Sequence, residues 1–131
     1  MKITFHGGAK SVTGSNYLLE SANHKILIDC GLIQGGHYAE KQNFEPFSYD
    51  PAEIQAVFVT HSHLDHIGRL PKLIKDGFKK TVYSTVAAKD FAYYLLEDSE
   101  DILKREALKH KMAPLYDKND LDKLMSHWEG V

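Results

Sequence analysis

An α/β fold, with a mixed sheet carrying helices on one face, follows from three observations on this 131-residue chain. Short aliphatic runs broken by glycine turns fill the first third. Apolar residues at three-to-four spacing dominate the second half. Between them, strand-like and helix-like segments alternate, which is the order that packs helices against a sheet.

Each element has its own signal. Ile3 and Phe5 alternate with polar neighbours, and His6-Gly7-Gly8-Ala9 ends that strand as a turn. Residues 16–20 and 25–29 predict a hairpin around Ser21-Ala22-Asn23, with Ile26 and Ile28 on one face and Leu27 on the other. From Leu32 to Pro51 no period emerges, and Gly35, Gly36, Pro46 and Pro51 punctuate a long loop with one helical turn. Loops of that length in a compact domain tend to carry function.

A strand over 56–59 leads into a histidine-rich turn. Ile67, Leu70, Leu73 and Ile74 then predict a helix over 67–75 that ends at Gly77, with Pro71 tolerated in its first turn. Lys72, Lys75, Lys79 and Lys80 read as a solvated helix end. Residues 81–84 predict a strand and 86–111 a long helix, whose core stripe is read as Ala88, Phe91, Leu95, Ile102 and Leu103. Phe91, Tyr93 and Tyr94 are assigned to helix packing rather than to a stacking platform for bases. Asp117 and Asp120 mark the start of a last helix holding Leu121, Leu124 and Met125.

Composition bounds the function. With 43% hydrophobic residues the chain can build one ordinary core. A formal charge of −2 supplies no general attraction to nucleic acid, so any such partner needs a local basic patch or metal ions. The single Cys30 cannot form an internal disulfide and fits a reducing compartment. No secretion signal and no apolar stretch of about 20 residues is present, so the expectation is a cytoplasmic protein without a membrane partner.

The chemistry concentrates in His61-Ser62-His63-Leu64-Asp65-His66, directly after the apolar strand. Side chains alternate along an extended segment, so His61 and His63 can share a direction, while Asp65 and His66 belong to the following turn. Two imidazoles and a carboxylate–imidazole pair can seed two adjacent metal positions. This donor set suits zinc, with iron or manganese also open.

The string Thr60-His61-Ser62-His63-Leu64-Asp65-His66 resembles the second motif of the metallo-β-lactamase superfamily, and the continuation Ile67-Gly68-Arg69-Leu70-Pro71 resembles its β-CASP branch, which acts on nucleic acids. Residues 8–15, 29–35 and 95–99 agree with that branch in order and spacing. The resemblance favours RNA-processing members over DNA-repair members.

It implies that His61 and His63 bind a first zinc ion, that Asp65 and His66 bind a second, and that Asp29 supports them through hydrogen bonds. Asp65 would also orient the attacking water, so Asp65 and Asp29 are the catalytic candidates. The implied substrate is RNA. The implied architecture is the N-terminal portion, residues 1–131, of an αββα sandwich, with the β-CASP insertion and the C-terminal half absent.

The family's third and fourth motifs, a histidine and a bridging aspartate, have no counterpart here. Neither His110 nor His127 stands in a glycine-rich strand end, and His37 lies in the long loop. Each reads as a surface histidine. A catalytic zinc normally has three protein ligands, whereas each position here has two. The expectation is therefore a fragment, inactive alone, whose sheet lacks a partner on one face and which needs the missing half. Homodimerisation is left open. Two rivals stand beside it: a thioester or lactone hydrolase using the same motif, and a non-catalytic assembly module with a relic metal site.

Overall fold

The computed structural model describes residues 1–131 apart from the side chains of His37 and Ala39, so the predicted role of His37 lies outside the described residues. Six strands form one sheet in chain order: β1 (Lys2–Gly7), β2 (Asn16–Ser21), β3 (His24–Ile28), β4 (Ala56–Phe58), β5 (Thr81–Ser84) and β6 (Trp128–Gly130). The first three are antiparallel, and β3 through β6 are parallel. Antiparallel neighbours need only a tight turn, and Ala22 supplies one at φ 50° between β2 and β3. Parallel neighbours need crossovers. These are the loop holding α1 (His37–Lys41), the pair α2 (Leu64–Ile67) and α3 (Leu70–Lys75), and the pair α4 (Val86–Lys109) and α5 (Lys118–Ser126).

One face of the sheet makes the core. Leu18, Leu27, Val57, Val82 and Trp128 are register partners across five strands, and all are buried. They join Ile67, Leu70 and Leu73, together with Ala92, Leu96, Leu121 and Leu124, in a single cluster. Each such aliphatic side chain contributes about 1.5–3 kcal/mol on burial. The indole of Trp128 satisfies its one donor on Ser84 Oγ at 2.8 Å.

The other face of the sheet carries the alternate residues of the strands. Register places Phe5, Tyr17, Ile28, Phe58 and Tyr83 in one row, with Phe5 61% and Phe58 45% exposed. Their rings pair across strands, Phe5 on Tyr17 at 5.3 Å and Phe58 on Tyr83 at 5.4 Å. The row thus leaves two large aromatic side chains open to solvent.

Several sequence expectations need correction. The helix expected over 67–75 begins three residues earlier and is broken into α2 and α3. At the break, the Arg69 N–H donates to the Cys30 carbonyl, a bond that draws the chain toward the β3 end. The buried stripe of α4 is Ala88, Ala92, Leu96, Ser99 and Ala107, which shares only Ala88 with the expected one, and Phe91 and Ile102 stand 65% and 56% exposed. Tyr94 is also exposed, so the helix-packing assignment fails for it and for Phe91.

Lys72 is buried rather than solvated. It pairs with Asp76 and lies 4.4 Å from the Phe47 ring centroid. The short edge strand β6 was not anticipated, whereas the Asp117 and Asp120 capping box forms as the spacing predicts.

Candidate metal centre

Strand β4 ends where Val59 donates to the Tyr83 carbonyl, and the chain continues extended to His63, whose ψ of 146° keeps it outside the helix that starts at Leu64. Asp65 and His66 therefore occupy the first turn of α2, one step beyond the extended pair His61 and His63. The turn closes the distance that separates them in sequence. Ring centroids of His61 and His66 are 3.9 Å apart, and those of His61 and His63 are 4.7 Å apart.

Asp29 sits at the end of the neighbouring strand β3, tied to β4 by its N–H on the Phe58 carbonyl at 2.9 Å. Its φ of 59° is left-handed, a conformation that costs a non-glycine residue free energy and recurs at functional sites. Only 1% exposed, its carboxylate is saturated with donors. Oδ1 accepts from the Thr60 N–H at 2.8 Å, and Oδ2 accepts from Ser15 Oγ at 3.1 Å and from His66 Nδ1 at 2.7 Å. The Thr60 hydroxyl reaches both oxygens, at 3.1 and 2.9 Å.

The Asp29 bond decides the chemistry of His66. With Nδ1–H donating to the carboxylate, the lone pair resides on Nε2, the nitrogen left for coordination. That Nε2 stands 3.6 Å from Asp65 Oδ2. Two donors on one tetrahedral ion with bonds of about 2.0–2.2 Å lie about 3.3–3.6 Å apart, so this pair fits a shared ion in kind and spacing. Among the described residues, no three His, Cys, Asp or Glu side chains form a group that could hold an ion unaided.

Backbone contacts lock the two halves together. Ser15 N–H donates to the Asp65 carbonyl, Cys30 N–H to that of His66, Gly31 N–H to that of Ser15 and Leu32 N–H to that of Leu64, all at 2.8–2.9 Å. A side chain on Gly31 has no room, since its Cβ would fall 1.6 Å from the Asp65 oxygen. Cys30 is not a donor here: burial pushes its thiol up to about 11, and its sulfur takes a 3.5 Å contact from the Asn16 amide.

All five predicted site residues, Asp29, His61, His63, Asp65 and His66, are thus connected by the contacts described. His110 instead lines a separate cavity with Ile102 and Leu103, and His127 caps the end of α5. Sequence reasoning did not single out Ser15 and Thr60 as partners of Asp29. Thr60 carried a signal, because it directly precedes the histidine run at a strand end.

Among the described residues, no helix is long and apolar enough to cross a membrane. Residues 11–127 match the family model of the Metallo-beta-lactamase superfamily. The chain is similar to Ribonuclease TTHA0252 of Thermus thermophilus, 40% identical over 127 residues, which cover 97% of this chain and 27% of that protein. It is also similar to Transcription termination factor FttA of Methanosarcina mazei, 38% identical over 114 residues, covering 83% of this chain and 17% of the other. The crystal structure of the short form of human tRNase Z overlays with a TM-score of 0.47 at 23% identity, covering 88% of this chain and 43% of that one. The chain therefore spans about a quarter or less of the length of these two curated relatives. With its histidine cluster, its strand-end aspartate and a family match over nearly its whole length, the chain belongs to the metallo-beta-lactamase superfamily.

Proposed function

We propose that this chain is part of a zinc-dependent hydrolase of the β-CASP branch that cleaves RNA phosphodiester bonds in the cytoplasm and is inactive as these 131 residues alone. The observation that carries the proposal is the bond from His66 Nδ1 to Asp29 Oδ2 at 2.7 Å, which prepares the opposite ring nitrogen as a ligand beside Asp65. The ribonuclease name of the Thermus relative, 40% identical, supports RNA as the substrate.

His61 and His63 would hold one ion, and Asp65 with His66 the second. Two bound zinc ions would supply Lewis acidity toward the scissile phosphate and make a water acidic enough to attack near neutral pH. Asp29 keeps the His66 ring fixed and its tautomer defined. Asp65, on the first turn of α2, would help hold the second ion and orient the attacking water. Protonation of that oxygen falls to residues outside this chain, as do the ligands that complete each ion. The outward row from Phe5 to Tyr83 offers the surface on which the second sheet of the αββα sandwich would pack.

The test completes the chain with the C-terminal remainder of the Thermus relative, loads zinc, and offers labelled RNA and a glutathione thioester in parallel. RNA cleavage that is lost on chelation supports the proposal. Hydrolysis of the thioester alone would reject it.

A further inference from the structure

Thr60 stands just past the end of β4, directly before the histidine run, and its hydroxyl reaches several polar atoms at once. Oγ1 lies 3.1 and 2.9 Å from the two carboxylate oxygens of Asp29, 3.1 Å from His61 Nδ1 and 3.3 Å from His66 Nδ1. A hydroxyl has one proton to give and two lone pairs with which to receive. A carboxylate only accepts, so the Thr60 proton points to Asp29; turned elsewhere, it would leave oxygen lone pairs facing one another at hydrogen-bond distance.

The direction of that proton fixes the next one. With its hydrogen given to Asp29, the Thr60 oxygen faces His61 as an acceptor, which places the His61 proton on Nδ1 and the lone pair on Nε2. His66 reaches the same state by a shorter route, since its Nδ1 is 2.7 Å from Asp29 Oδ2. One buried carboxylate thus sets two imidazoles, one directly and one through a hydroxyl. The two rings lie 3.9 Å apart by centroid, although His61 belongs to the extended segment and His66 to the first turn of α2. Asp29 does not itself depend on the Thr60 hydroxyl, because Oδ1 keeps the Thr60 N–H and Oδ2 keeps Ser15 Oγ and the His66 ring.

We propose that Thr60 is a positioning residue whose hydroxyl relays the Asp29 carboxylate to His61 and holds that imidazole with Nε2 open to a metal ion. This role rests on the two-ion reading given above. It means that a single aspartate braces a ligand of each ion, because His61 belongs to the pair assigned to the first and His66 to the pair assigned to the second. The side-chain requirement is narrow. Serine carries the same hydroxyl, whereas valine keeps the branched shape and the preference for extended backbone but neither gives nor accepts a hydrogen bond.

The test reads the imidazole tautomers of the metal-free 131-residue chain by long-range proton–nitrogen magnetic resonance at about pH 8.5, where ordinary imidazoles are neutral. In the unaltered chain and in Thr60→Ser, His61 and His66 should both carry the proton on Nδ1. In Thr60→Val the His61 proton should move to Nε2, the nitrogen that a free neutral imidazole favours, while His66 keeps its Nδ1–H on Asp29 as the internal control. A second arm measures zinc affinity by chelator competition in the chain completed with the C-terminal remainder of the Thermus relative. There Thr60→Val should weaken one ion by about 10–100-fold, and Thr60→Ser should match the unaltered protein. A His61 proton on Nε2 in the unaltered chain overturns the proposal even if the valine variant fails to fold, and so does an unchanged His61 tautomer or zinc affinity in a folded Thr60→Val. Absence of zinc from the completed unaltered protein would instead reject the metal reading, and the tautomers would still decide the relay.

Discussion

Asp29 Oδ2 lies 2.7 Å from His66 Nδ1, and this one bond fastens the end of β3 to the first turn of α2. Removing the carboxylate strands four donors at once: the Thr60 N–H and hydroxyl, the Ser15 hydroxyl and the His66 ring. Each unsatisfied buried donor costs about 1–3 kcal/mol, and alanine also tolerates the φ of 59° poorly. Asp29→Ala should therefore lose about 3–5 kcal/mol in urea denaturation, near the upper end for single substitutions. A loss below about 0.5 kcal/mol would show that the network carries no weight.

Gly31 tests the close approach of the two segments. Its replacement by alanine places a carbon 1.6 Å from a backbone oxygen that has nowhere to move, so Gly31→Ala should cost at least about 3 kcal/mol or prevent folding. Gly35→Ala is the control. It meets no atom within 4 Å and carries only the strain of its φ of 122°, so about 1 kcal/mol is expected. Equal losses at the two positions would remove the steric argument.

Cys30 should be slow to react. Burial raises its thiol to about 11 from the ordinary 9.0, so the protonated form is the stable one in the folded chain. Its contribution to stability is complete below pH 9 and disappears as pH rises through about 11. At pH 8 a disulfide reagent should modify the native thiol at least about 100-fold more slowly than the urea-unfolded thiol. Matching rates would mean the strand end opens freely.

Acid should weaken the fold through His6. Burial, then the neighbouring Arg69 charge, lowers its pKa below 6.5, so the unfolded chain binds the proton more readily. That contribution to stability is present above pH 6.5 and is lost as pH falls through the folded value. Denaturation midpoints measured at pH 7.5 and pH 5 should differ less in His6→Phe than in the unaltered chain. An unchanged difference would assign the acid sensitivity to other groups.

The bare sheet face should bind an apolar dye. Phe5 and Phe58 are 61% and 45% exposed, so Phe5→Thr with Phe58→Thr should change stability by less than about 1 kcal/mol while cutting anilinonaphthalene sulfonate fluorescence severalfold. Undiminished fluorescence would place the sticky surface elsewhere.

Much of this was legible in the residues. Alternation located the hairpin, with Leu27 buried on the face opposite Ile26 and Ile28, and the extended-then-turn reading of His61 to His66 matches the start of α2 at Leu64. The α4 stripe was not legible. Large apolar residues at helical spacing suggest a core, yet the face this helix turns inward holds Ala88, Ala92, Leu96, Ser99 and Ala107, a choice set by its neighbours and not by its own period. The same holds for Arg69 and Lys72, charged residues whose burial depends on the Phe47 ring brought from a distant loop. Ser15 and Thr60 reach Asp29 only once three segments meet, which no local pattern encodes.

Zinc content decides whether the Asp29-braced cluster belongs to a binuclear centre. In the chain completed with the C-terminal remainder of the Thermus relative, elemental analysis should find two zinc ions per molecule, with at least one lost in each of His63→Ala and Asp65→Ala. No bound transition ion in the completed protein, or full zinc retained by both variants, would contradict the assignment.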